Sequence, residues 1–145
     1  MLQTKALEDA DAELRPGWHW VLIGAVFVVT LFLPLSMLGV YVGGLLARGR
    51  ASNALSLVLV AGAVLATFAF SAGASGAMVG RFSGRPGTRT AMWGGALGGL
   101  ATFALALLAG RLGLAPALAA ALVLSGTGAL FAALGARVGL RARPK

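Results

Sequence analysis

The chain has no cysteine, one histidine and only four acidic residues in a length of 145. The missing cysteine excludes disulfides, thiolate catalysis and Cys-ligated metals. The acids are Glu8, Asp9, Asp11 and Glu13, so every carboxylate side chain lies near the N-terminus. Proton- and cation-coupled carriers keep an ionisable group inside the membrane, and no apolar run here holds an acid. Membrane phosphatases and lipid synthases need clusters of His, Asp or Arg near the interface. His19 is alone, and a bis-His haem would need a second histidine. The expectation is a protein that is not an enzyme and carries no cofactor and no metal.

What is present is apolar. The chain is 59% hydrophobic, and its mean hydropathy is +0.90. A soluble domain of this size needs far more polar surface. Uncharged runs cover 16–47, 51–80, 90–110 and 112–136. A bilayer core of about 30 Å takes about 20 helical residues. The last two runs fit one crossing each. The first two are longer but cannot hold two crossings and a turn, so they should tilt, kink or overhang. Alternating segments of a transmembrane barrel are absent. The expected fold is all-α, a four-helix transmembrane bundle over 18–137, with helices at about 18–47, 52–79, 90–110 and 116–136. Residues 1–17 read as a short amphipathic tail with Leu7, Ala10 and Leu14 on one face. Residues 138–145 read as a basic tail. The acids of the N-terminal stretch do not fit a secretory signal, so the first helix should be retained. Pro34 lacks an amide proton and should kink that helix near mid-membrane.

The net charge of +8 marks topology rather than nucleic-acid binding. Lys5, Arg15, Arg81, Arg85, Arg89, Arg137, Arg141, Arg143 and Lys145 fall on one side of the bundle. Arg48, Arg50 and Arg111 fall on the other. The positive-inside rule then places both termini in the cytoplasm. Arg81, Arg85, Arg89, Arg141 and Arg143 are candidates for anionic lipid headgroups or a partner. Trp18, Trp20 and Trp93 are candidate interfacial anchors.

Small residues recur at spacings of three and four, which keeps them on one helical face. The rows are Ser36, Gly39, Gly43 and Ala47; then Gly62, Ala66, Ala69, Gly73, Gly76 and Gly80; then Gly95, Gly99, Thr102, Ala106 and Ala109; then Ala121, Ser125, Gly128, Ala132, Gly135 and Gly139. Lipid gives no hydrophobic push between helices, so association relies on close backbone approach, which small residues permit. The expected packing residues are Gly43, Ala47, Gly73, Gly76, Gly80, Gly95, Gly99, Ser125, Gly128 and Ala132. Each helix is also expected to end on a small-x-x-x-small-Arg pattern, at Arg48, Arg81, Arg111 and Arg137. A cation there suits the helix dipole, and the pattern hints at duplication of a two-helix unit.

The stretch Ser75-Gly-Ala-Met-Val-Gly-Arg-Phe-Ser-Gly-Arg85, followed by Trp93-Gly-Gly-Ala-Leu-Gly-Gly99, resembles a segment of uncharacterised small bacterial four-helix inner-membrane proteins. Those carry a Gly-x-x-x-Gly-Arg turn between helices 2 and 3 and then a Gly-rich helix start. The resemblance covers about 25 residues. It implies a bacterial inner membrane and brings no activity.

Two functions remain. The first is a non-enzymatic structural or accessory subunit, or an assembly factor, that packs on other membrane proteins through its small-residue seams. The alternative is a small homo-oligomeric channel or permease with its pore between protomers. Fluoride-type channels have an Asn within a helix and a Thr/Phe-rich break. Here the only asparagine, Asn53, starts a helix, and there is no Thr-Thr-Phe run.

Overall fold

The computed structural model describes residues 17–49, 52–83, 87–108 and 114–142. They form four helices: α1, Gly17–Ala47; α2, Asn53–Phe82; α3, Gly87–Leu108; and α4, Leu114–Arg141. All four contain a stretch long and apolar enough to cross a membrane. At 1.5 Å per residue, α1 is about 46 Å long and α3 about 33 Å. α1 therefore exceeds a hydrocarbon core of about 30 Å by several turns, and α3 matches it. The amphipathic tail lies outside the described residues.

Two helices run further than expected. α2 continues through Arg81 to Phe82, and α4 passes Ala136 and Arg137 to Arg141. Hydropathy marks where the chain leaves an apolar medium, whereas a helix ends where its backbone finds other partners. Packing carries α4 onward: a Cβ on Gly139 would strike the carbonyl of Ala77 and lie 3.0 Å from the Arg81 amide nitrogen. Arg137 is therefore inside α4, and Arg141 holds the last turn. The stretch expected to be a loop from Arg81 to Arg89 is also shorter. Arg81 ends α2, and Arg89 sits in the first turn of α3. α1 ends as its sequence suggests. Gly49 takes the left-handed conformation, φ +76°, directly after Arg48, which halts a helix at little steric cost. Pro34 sits within α1, which is one unbroken helix.

Close glycine contacts set the topology. Gly43 meets Val60 and Gly24 meets Ser75 and Val79, so α1 and α2 are antiparallel. Gly95 meets Gly128 and Gly99 meets Leu124, so α3 and α4 are antiparallel as well. Gly76 meets Ala132 and Gly80 meets Ala136, which makes α2 and α4 parallel neighbours. Gly94 meets Val21 and Gly98 meets Val28, which does the same for α1 and α3. Round the bundle the order is α1, α2, α4, α3. α2 and α3 touch across one diagonal, and α1 and α4 do not meet among the described residues.

The interior is filled by two apolar clusters. Val28, Phe32, Phe68 and Ala72 form one, with Val64 and Leu124 against it. The rings of Phe32 and Phe68 meet edge to face at 5.3 Å. Val79, Ala91, Ala132 and Ala136 form the other, with Trp20 against it. Large side chains such as Met37, Tyr41, Leu57, Phe70, Leu108 and Leu122 point outward. Small residues inside and large apolar ones outside suit an apolar solvent. In water that arrangement would leave a large hydrophobic surface uncovered.

Candidate functional site

The backbone surfaces come first. A methyl on Gly76, Gly80, Gly95 or Gly128 would strike the backbone of the facing helix: Ala132, Ala136, Gly128 and Gly95 respectively. At Gly99 the clash is with the Leu124 carbonyl, at 2.6 Å. Gly43 is similarly tight, since a methyl there would lie 2.6 Å from the Val60 Cα. Gly73 is looser, but its carbonyl meets Gly135 of α4. Ala132 is buried, while Ala47 and Ser125 are half-buried at the edges of their contacts.

Sequence reasoning passed over one row. α3 carries two glycine stripes, not one. Gly95 and Gly99 face α4, while Gly94 and Gly98 face α1. The paired Gly-Gly steps let α3 wedge between two backbones. The doublets four residues apart were the available signal, because adjacent positions on a helix point about 100° apart. Gly24 was also passed over. It sits where α1, α2 and α3 converge: a methyl there would lie 3.6 Å from Ser75 Oγ and 3.5 Å from the Gly94 Cα.

Not every small residue is used. Gly62 follows the α2 spacing but has nothing within 4 Å, and Ala66 is exposed. The α2–α4 contact is tight from Gly73 and Phe131 to Gly80 and Gly139, and it opens above that level. Gly44 and Gly126 also face open space. Beside the tight stretch runs a shallow apolar groove. Ala66, Phe70, Gly73 and Ala77 line it from α2, and Phe131 and Val138 from α4.

The polar side chains do little between helices. Thr67 donates to the Val64 carbonyl, Ser71 to Thr67, Thr102 to Gly98, Ser36 to Leu33 and Ser125 to Leu122, each within its own helix. Ser75 differs. Its hydroxyl donates to the Gly24 carbonyl of α1 at 2.8 Å. Among the described residues no group of three or more His, Cys, Asp or Glu could hold a metal.

The aromatic candidates separate. Trp18 is exposed and stacks on His19 with centroids 3.7 Å apart. Trp93 is exposed on α3. Trp20 is half-buried against the Val79 cluster, so it packs into the bundle rather than standing outside it. Of the headgroup candidates, Arg81, Arg89 and Arg141 are exposed at helix ends. Arg81 also lies over the Phe82 ring, 5.7 Å from its centroid. Arg85 and Arg143 lie outside the described residues.

No family model, no curated protein and no solved structure matches the chain.

Proposed function

We propose that the chain is an integral protein of a bacterial inner membrane, with both termini in the cytoplasm. It acts without catalysis as a structural or accessory subunit, or an assembly factor, that packs against other membrane proteins. The open half of the α2 row carries this reading. Gly62 sits at the spacing that α4 fills further along, yet no described residue lies within 4 Å of a Cβ built there. A neighbouring helix gains close backbone contact on such a face. The orientation rests on the basic residues, and the compartment on the resemblance of the Ser75–Gly99 segment.

The test is the composition of the particle after gentle extraction of the tagged chain from native membranes. The expected result is other polypeptides in fixed ratio, lost when Gly62→Leu is introduced. A pure homo-oligomer would overturn the accessory reading. It would point to a pore between protomers, because Val28, Phe32 and Phe68 fill the interior of each bundle.

A further inference from the structure

We infer that the groove between α2 and α4 is a binding site for an anionic diacyl phospholipid. One acyl chain lies in the groove, and Arg81 and Arg141 hold the phosphate.

The groove has the right chemistry along its length. Its floor is small, with Gly73, Ala77 and Ala66, and Phe70 and Phe131 stand beside it. Phe70 is 67% exposed, so it projects beyond the helix surface as a wall. From Ala66 to Ala77 the rise is about 16 Å. That is about half of a hydrocarbon core of about 30 Å, the depth of one leaflet. The groove is therefore long enough for one acyl chain of one leaflet.

Its end has the right charge. Arg81 lies one helical turn beyond Ala77 on α2, and Arg141 lies three residues beyond Val138 on α4, so each continues its wall of the groove. The two helix ends are held together there, since a Cβ on Gly139 would lie 3.0 Å from the Arg81 backbone amide nitrogen. Both arginines are exposed, and the described residues contain no Asp or Glu to compete for them. Guanidinium groups match phosphate oxygens in charge and in donor geometry. A zwitterionic lipid fits the groove equally well but offers less net charge, so the arginines select for anionic lipid.

The site rests on the membrane reading but not on the accessory role. The experiment uses the full-length chain, delipidated in detergent and offered equimolar phosphatidylglycerol and phosphatidylcholine with the same acyl chains. Bound lipid is counted by native mass spectrometry. Phosphatidylglycerol is expected to win by on the order of tenfold, from two cations near one phosphate. Arg81→Gln with Arg141→Gln should remove the preference while leaving residual binding of either lipid. Ala66→Phe, which fills the open end, should reduce both lipids in the adduct spectrum. Equal occupancy by the two lipids in the parent chain would overturn the site. So would a preference that survives the double substitution, or glycerol phosphate competing as well as the intact lipid. Alkaline carbonate extraction of native membranes separates the two levels of failure. A chain released by the wash loses the membrane reading, whereas a retained chain that fails the lipid assay loses only the site.

Discussion

The two halves of α2 carry the same sequence signal and meet different surroundings. From Gly73 to Gly80 the small residues lie on the α4 backbone so closely that a methyl at Gly76 has nowhere to go. At Gly62 and Ala66 the spacing continues, but no described residue lies within 4 Å of a Cβ on Gly62, and Ala66 is exposed. A three-and-four spacing thus defines a face on which another backbone could lie. It does not define which backbone, or whether it belongs to the same chain. The packed half reports on the fold, and the open half leaves the same kind of face uncovered.

The largest effect should come from setting leucine into each half. Gly76→Leu forces a branched side chain into the Ala132 backbone, so α2 and α4 must separate. The expected loss is about 3 kcal/mol or more, read as a large fall in unfolding midpoint in detergent. Gly99→Leu should do the same between α3 and α4, where the Leu124 carbonyl blocks it. Gly62→Leu meets open space and should cost nothing, with a gain of up to about 1 kcal/mol from helix propensity. A Gly62→Leu loss as large as that of Gly76→Leu would erase the distinction between the halves.

A gentler comparison uses two glycines on α4 that are only two residues apart. Gly128 faces the Gly95 carbonyl, and Gly126 faces open space. One methyl is enough to tell them apart. Gly128→Ala should cost about 1–3 kcal/mol through overpacking. Gly126→Ala should cost nothing and gain up to about 1 kcal/mol from helix propensity. Equal effects of the two in a detergent unfolding titration would mean that the α3–α4 contact is looser than the structure draws it.

Those pairs also mark how far the sequence could be read. The four helices were legible because continuous apolar runs of this length have one main solution in lipid. The faces were legible in part, since spacing is a property of a single helix. Pairing was not. Nothing in the α2 row says that its partner is α4 and that the two run parallel, and the row continues past the point where α4 leaves it. The second glycine row on α3 was hidden for a related reason: Gly94 and Gly98 looked like neighbours of the first row rather than a face of their own. Helix ends were misplaced where they outlast hydropathy. Arg137 looks like a terminus by charge but is held inside α4 by Gly139 on Ala77. Trp20 looks like Trp18, yet it packs on Val79 because α1 turns that face toward α2 and α3.

The smallest effect separates two hydroxyls in the packed half of α2. Ser71 and Ser75 are one turn apart, and both are buried. Ser71 donates to Thr67 of its own helix, a bond that survives if α1 departs. Ser75 donates to Gly24 of α1, a bond that exists only when the two helices are together. Interhelical hydrogen bonds in membranes average about 0.6 kcal/mol, because the unassembled helices find other partners. Ser75→Ala should therefore cost about 0.5–1 kcal/mol in a detergent unfolding titration, and Ser71→Ala only a few tenths at about the limit of detection. Gly24 sets the sign of a second control. A Cβ there would lie 3.4 Å from Val79 and 3.6 Å from Ser75 Oγ, at the edge of ordinary contact. Gly24→Ala should thus be tolerated better than Gly128→Ala. Because a methyl at Gly24 meets only ordinary contacts, whereas one at Gly128 strikes the Gly95 carbonyl, a Ser75→Ala loss larger than that of Gly128→Ala would reverse the order of the two contacts.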